Sequence, residues 1–76
     1  GNAVVDPSAT VDPSATITES VVHAGAQIGA HVVLDHVIVG AGAVIGEGAK
    51  LTDYSVVGQG VRVPAGAVIS AAQVNE

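Results

Sequence analysis

A chain of 76 residues with 49% hydrophobic residues, one aromatic, no cysteine and a net charge of −5 has room for one domain and lacks a disulfide framework or a thiolate site. Lys50 and Arg62 are its only cations, too few to displace counterions from nucleic acid or to hold an anionic membrane surface. No apolar run approaches the length of a membrane span and no signal peptide is visible, so a cytoplasmic protein is expected.

The first elements announce a period. Residues 5–16 read VDPSATVDPSAT, the same six residues twice without a gap. Six residues suit a short strand followed by a tight turn. Large aliphatic residues then open each later unit, at steps of 6, 6, 5, 6, 6, 5, 6, 6, 6, 6 and 6 from Val5 to Ile69. Two positions before most of these markers stands a small or modest residue, such as Ala9, Ser20, Ala26, Ala43, Ala49 or Ser55. Residues two apart share one side of a strand, so each unit supplies two inward positions. Between them lie turn formers: Asp6-Pro7-Ser8, Asp12-Pro13-Ser14, Ala24-Gly25, Ala41-Gly42, Glu47-Gly48, Gln59-Gly60 and Ala65-Gly66. A fixed short period of this kind marks a β-solenoid.

The five-residue steps give the size of a coil, because both close every third unit. Val5, Val22, Val39 and Val57 form one column at intervals of 17, 17 and 18. Val11, Ile28, Ile45 and Val63 form a second, and Ile17, Leu34, Leu51 and Ile69 a third. Three strands therefore make one turn of a prism, and the chain makes about four turns. The longer interval belongs to Thr52-Asp53-Tyr54, one residue more than the corresponding turns before it. The expected layout is a tail at 1–3, a β-helix over 4–70 and a tail at 71–76. Neither end carries an amphipathic capping helix, which predicts a longer parent or partners that cover the ends.

The hexad resembles that of the hexapeptide-repeat proteins, with IGEGAK (45–50) and VPAGAV (63–68) close to its pattern. That resemblance implies an all-β, single-stranded left-handed parallel β-helix, against the right-handed crossover that general chirality favours. Each third side ends in ESVVHAG (19–25), DHVIVGAG (35–42) or DYSVVGQG (53–60). This cadence is similar to the D-S-V-I-G-x-G of the C-terminal domain of sugar-phosphate nucleotidyltransferases, of the mannose-1-phosphate guanylyltransferase and glucose-1-phosphate adenylyltransferase type. The resemblance implies the non-catalytic part of such an enzyme, used for assembly and in places for regulation. The family's Gly-rich nucleotide loop and metal-binding carboxylates belong to a preceding domain, and nothing in this chain matches them. The chain alone is thus expected to be inactive and to hold no cofactor.

The residues that could carry chemistry point the same way. His31 and His36 echo the paired histidines of γ-class carbonic anhydrases, and some hexapeptide-repeat acyltransferases use His as a base. In this register His23, His31 and His36 occupy one coil but different sides of the prism. Three ligands within about 2.0–2.2 Å of a zinc ion cannot come together that way within one chain, so no metal site is expected. Ser20 and Ser55 point inward with no base adjacent, which suits small core fillers better than nucleophiles. Asp6, Asp12, Glu19, Asp35, Glu47 and Asp53 lie in or beside turns, where a carboxylate bonds its own backbone. Tyr54 is expected to pack on a neighbouring turn or to meet a partner.

One feature goes beyond the fold. The residues just before the first-face markers, Val4, Val21, Ile38 and Val56, point outward and form an aliphatic column. A continuous apolar stripe predicts a contact surface, here for a homo-oligomer, trimer or dimer, or for docking to a catalytic domain. Three alternatives differ in what they require. A trimeric acyltransferase fragment needs an intersubunit His and an extruded loop, yet every turn is two or three residues long. A γ-carbonic-anhydrase-like protein needs converging histidines. An engineered or truncated β-helix needs neither and has no activity.

Overall fold

The computed structural model describes residues 3–74. Its regular structure is entirely β: β1 (Val4–Val5), β2 (Thr10–Val11), β3 (Thr16–Thr18), β4 (Val21–Val22), β5 (Gln27–Ile28), β6 (Val33–Asp35), β7 (Ile38–Val39), β8 (Val44–Ile45), β9 (Lys50–Thr52), β10 (Val56–Val57), β11 (Arg62–Val63), β12 (Val68–Ser70) and β13 (Gln73–Val74). The strands are two or three residues long because a turn former arrives every fifth or sixth residue.

Successive strands lie on successive faces. The first face runs β1-β4-β7-β10-β13, the second β2-β5-β8-β11 and the third β3-β6-β9-β12. All pairings are parallel, and their register reproduces the three columns. Val22 pairs with Val5 and Val39, Ile28 with Val11 and Ile45, and Leu34 with Ile17 and Leu51. The result is a β-solenoid of about four turns whose coils exchange backbone hydrogen bonds.

The core fills the prism axis. Val22, Val39 and Val57 from the first face, Ile28, Ile45 and Val63 from the second, and Leu34 and Leu51 from the third are all buried. Ala26, Ala43 and Ala49 fill the narrower inward positions and are fully buried too. Small residues beside large ones fill the interior, and no aromatic side chain is among the buried residues. The first and last coils have a neighbour on one side only, so Val11, Ile17 and Ile69 are half-buried.

The opening repeat covers two corners of one coil. At each, an aspartate oxygen accepts from the serine amide (2.9 Å) and the serine hydroxyl (2.7 Å) two residues on. The hydroxyl oxygen in turn accepts an amide from the next coil, Gly25 N–H to Ser8 (3.0 Å) and His31 N–H to Ser14 (2.9 Å). Asp-Pro-Ser thus closes its own turn and starts the ladder. Gly46 marks a different constraint: a Cβ there would lie 2.5 Å from the Ala65 backbone nitrogen.

The winding passes residue 70, where a tail was expected to begin. β13 pairs with β10, Val57 opposite Val74, and gives the first face a fifth strand. The signal was legible, since Val74 follows Val57 by the same interval of 17.

Candidate functional site at the third corner and first face

The corners of the prism differ in what they place on the outside. In the column after the first face, Gly25, Gly42 and Gly60 take positive φ, and after the second face Gly48 and Gly66 do. Among the described residues the corner between the third and first faces has no glycine. There Glu19 (φ 46°), His36 (φ 56°) and Tyr54 (φ 64°) stack on successive coils, each a side chain held in the left-handed region. The extra residue of the third coil puts Asp53 (φ 59°) directly before Tyr54.

These side chains touch. His36 Nδ1 lies 2.7 Å from the Asp35 carboxylate, and its Nε2 lies 3.5 Å from Glu19. The Tyr54 ring is tilted by 52° against the His36 ring, with centroids 5.1 Å apart. Asp53 accepts from the Thr52 hydroxyl at 3.2 Å and the Ser70 hydroxyl at 2.6 Å. Beneath the corner the two inward serines replace backbone partners. Ser20 Oγ donates to the Thr18 carbonyl (2.8 Å) and accepts from the Val37 amide (3.0 Å). Ser55 Oγ donates to the Thr52 carbonyl (2.6 Å) and accepts from the Ala72 amide (3.3 Å). Both hydroxyls serve the ladder, and neither meets a histidine.

Between the corner and the first face lies a cleft of about 230 Å³. Val21 and Ile38 form its apolar wall, Val37 and Ser55 its floor, and Glu19, His36 and Tyr54 its rim. It is continuous with the aliphatic column. Val4 is 65% and Ile38 45% exposed, while Val21 and Val56 are half-buried. Tyr54, the one aromatic residue of the chain, is 77% exposed.

His23 follows β4 at the first corner, His31 lies at the second and His36 at the third. Among the described residues no three His, Cys, Asp or Glu side chains are grouped to hold a metal ion. His36 is bracketed by carboxylates and bonded to no hydroxyl among the described residues, so the corner has a His–Asp pair without a nucleophile. It presents an apolar trough with an aromatic and acidic edge. Taken singly in the sequence, Glu19, His36 and Tyr54 are unrelated turn residues. Their intervals of 17 and 18 residues are those of the core columns, and that was the signal that they share a corner.

A family model described as the GMPPB C-terminal domain matches residues 1–75. No curated protein matches the chain.

Proposed function

The chain belongs to the GMPPB C-terminal domain family, and on that premise we propose that it is the assembly domain of a nucleotide-sugar nucleotidyltransferase of the mannose-1-phosphate guanylyltransferase type. It performs no chemistry itself. The observation that carries this reading is the aliphatic column of Val4, Val21, Ile38 and Val56, laid along the outside of one face beside an apolar cleft. β-Branched residues favour strands anywhere, yet the outward positions of the second face are Thr10, Gln27, Val44 and Arg62. The first face alone is aliphatic at its first four outward positions; its fifth, Gln73 opposite Val56, is polar.

Burying an exposed aliphatic side chain is worth ~1.5–3 kcal/mol, and association costs an estimated ~4–15 kcal/mol. One column is marginal against that cost. Several chains pooling their columns around an axis exceed it, as does docking against an apolar patch of a catalytic domain.

Two measurements on the isolated chain test the proposal. Incubation with GTP and mannose 1-phosphate should release no pyrophosphate. Sedimentation at micromolar concentration should give a mass of two or three times the 7.3 kDa chain. Pyrophosphate release would overturn the non-catalytic assignment. A strict monomer that also fails to bind a separately prepared nucleotidyltransferase catalytic domain would overturn the assembly role.

A further inference from the structure

The hydrogen bonds at the first two corners have a direction. Gly42 N–H donates to the Ala24 carbonyl and Gly60 N–H to the Ala41 carbonyl, each at 2.9 Å. At the second corner Gly48 and Gly66 donate to Ala30 and Glu47 at the same distance. Each of these amides points to the coil before it, toward the N-terminal end of the prism. Ser8 stands 17 residues before Gly25, the next member of the first column, and Ser14 stands 17 before His31 in the second. Among the described residues no coil precedes these two serines, and their amides turn to carboxylates of their own corners. Ser8 N–H donates to Asp6 and Ser14 N–H to Asp12, both at 2.9 Å. Pro7 and Pro13 beside them have no amide to offer. At the other end the accepting columns run on to Gln59 and Ala65, and among the described residues no backbone amide reaches their carbonyls.

The rest of the two ends suits a second copy stacked head to tail. Val4 and Asp6 donate to the carbonyls of Ser20 and Val22, so the N–H and C=O of Val5 between them face the open end. Val11 lies likewise between Thr10 and Asp12, which donate to Ala26 and Ile28. The inward residues Val11 and Ile17 at one end, and Ile69 and Val74 at the other, are half-buried, and stacking would continue the aliphatic columns. Such a contact joins two different surfaces and does not close, so it grows into a filament. The two corners oppose it. Each aspartate oxygen takes the part that a preceding coil's carbonyl plays in the middle of the prism, and an incoming carbonyl would meet it as one acceptor meets another. We propose that Asp6 and Asp12 are end caps that supply the acceptors of a preceding coil and so close the N-terminal end against the C-terminal end of a second copy. Assembly is thereby confined to lateral contacts of finite size. The first-face column plays no part in the barred contact, so the two readings fail separately.

Sedimentation and negative-stain imaging of Asp6→Ala/Asp12→Ala beside Asp6→Asn/Asp12→Asn test the caps. Both variants lose the same charge, but asparagine keeps a side-chain oxygen for the serine amide and alanine does not. The parent and the asparagine variant should reach a mass that levels off as concentration rises. The alanine variant should keep the β spectrum, gain mass without levelling off and form unbranched filaments, and adding Ile38→Lys should not stop that growth. A folded alanine variant with the parent's mass would overturn the proposal, as would unlimited growth of the parent. Equal growth of the asparagine variant would overturn it in favour of charge alone, and growth abolished by Ile38→Lys would assign the contact to the first face. Amide exchange in the parent tests the caps without any variant. Corrected for local sequence, the Ser8 and Ser14 amides should exchange about threefold to tenfold more slowly than the edge amides of Val5 and Val11. Equal rates would remove the caps.

Discussion

Asp6 and Asp12 show how single side chains hold a corner. The Ser8 hydroxyl, then the Ser8 amide, hold the Asp6 carboxyl below its ordinary value of 3.8, and Ser14 does the same for Asp12. A carboxylate whose folded value is depressed contributes stability above pH 3.8, and that contribution is lost as pH falls through the folded value. Protonation of both corners should therefore loosen the first coil below pH 3.8. Ser8→Ala should raise the Asp6 value toward 3.8 and leave Asp12 unmoved, read by carboxyl NMR titration. The inward serines make a second case. Ser20→Ala strips the buried Val37 amide of its partner, and an unpaired buried amide costs about 1–3 kcal/mol, measurable by urea unfolding. Periodicity placed both serines inward and read them as fillers. Their hydrogen bonds were not legible, because nothing in a period tells which backbone amide the corner leaves without a carbonyl.

Strands of two residues gain little alone, so each face depends on its column. Ile45 is buried between Ile28 and Val63, and Ile45→Ala should cost about 2–5 kcal/mol. Glycines separate two kinds of corner constraint. Gly42 needs its positive φ (71°) but has open space around it, so Gly42→Ala should cost only the left-handed strain of about 1–2 kcal/mol. Gly46→Ala meets backbone at 2.5 Å and should cost about 3 kcal/mol or more, the upper end of overpacking. Thermal unfolding midpoints should therefore rank Gly42→Ala above Gly46→Ala. The columns from Val5 to Ile69 were readable in full, since side-chain alternation and turn formers repeat in phase. The third corner was readable only in part. Glu19, His36 and Tyr54 break the glycine pattern, and the extra residue at Asp53 masks their common interval.

At the scale of the whole molecule, the prism shape follows from arithmetic on 17 and 18 residues, and family membership brings with it the left-handed hexapeptide-repeat β-helix. Inside and outside were separable because the core columns tolerate only aliphatic and small residues. The outer columns are free to vary, so a run of four aliphatic residues stands out: Val4, Val21, Ile38 and Val56. What meets that column is not written in the chain, because a partner's surface leaves no period in this sequence. Sedimentation equilibrium of the parent chain beside Ile38→Lys and Gln27→Lys tests the assembly claim most directly. Both variants add one cation to an exposed strand position in adjacent coils, on the first and second faces respectively. Ile38→Lys should keep the β spectrum and fall toward the 7.3 kDa monomer mass, while Gln27→Lys keeps the parent mass. An Ile38→Lys variant that folds and retains the parent oligomer would contradict the assignment of the first face as the assembly surface.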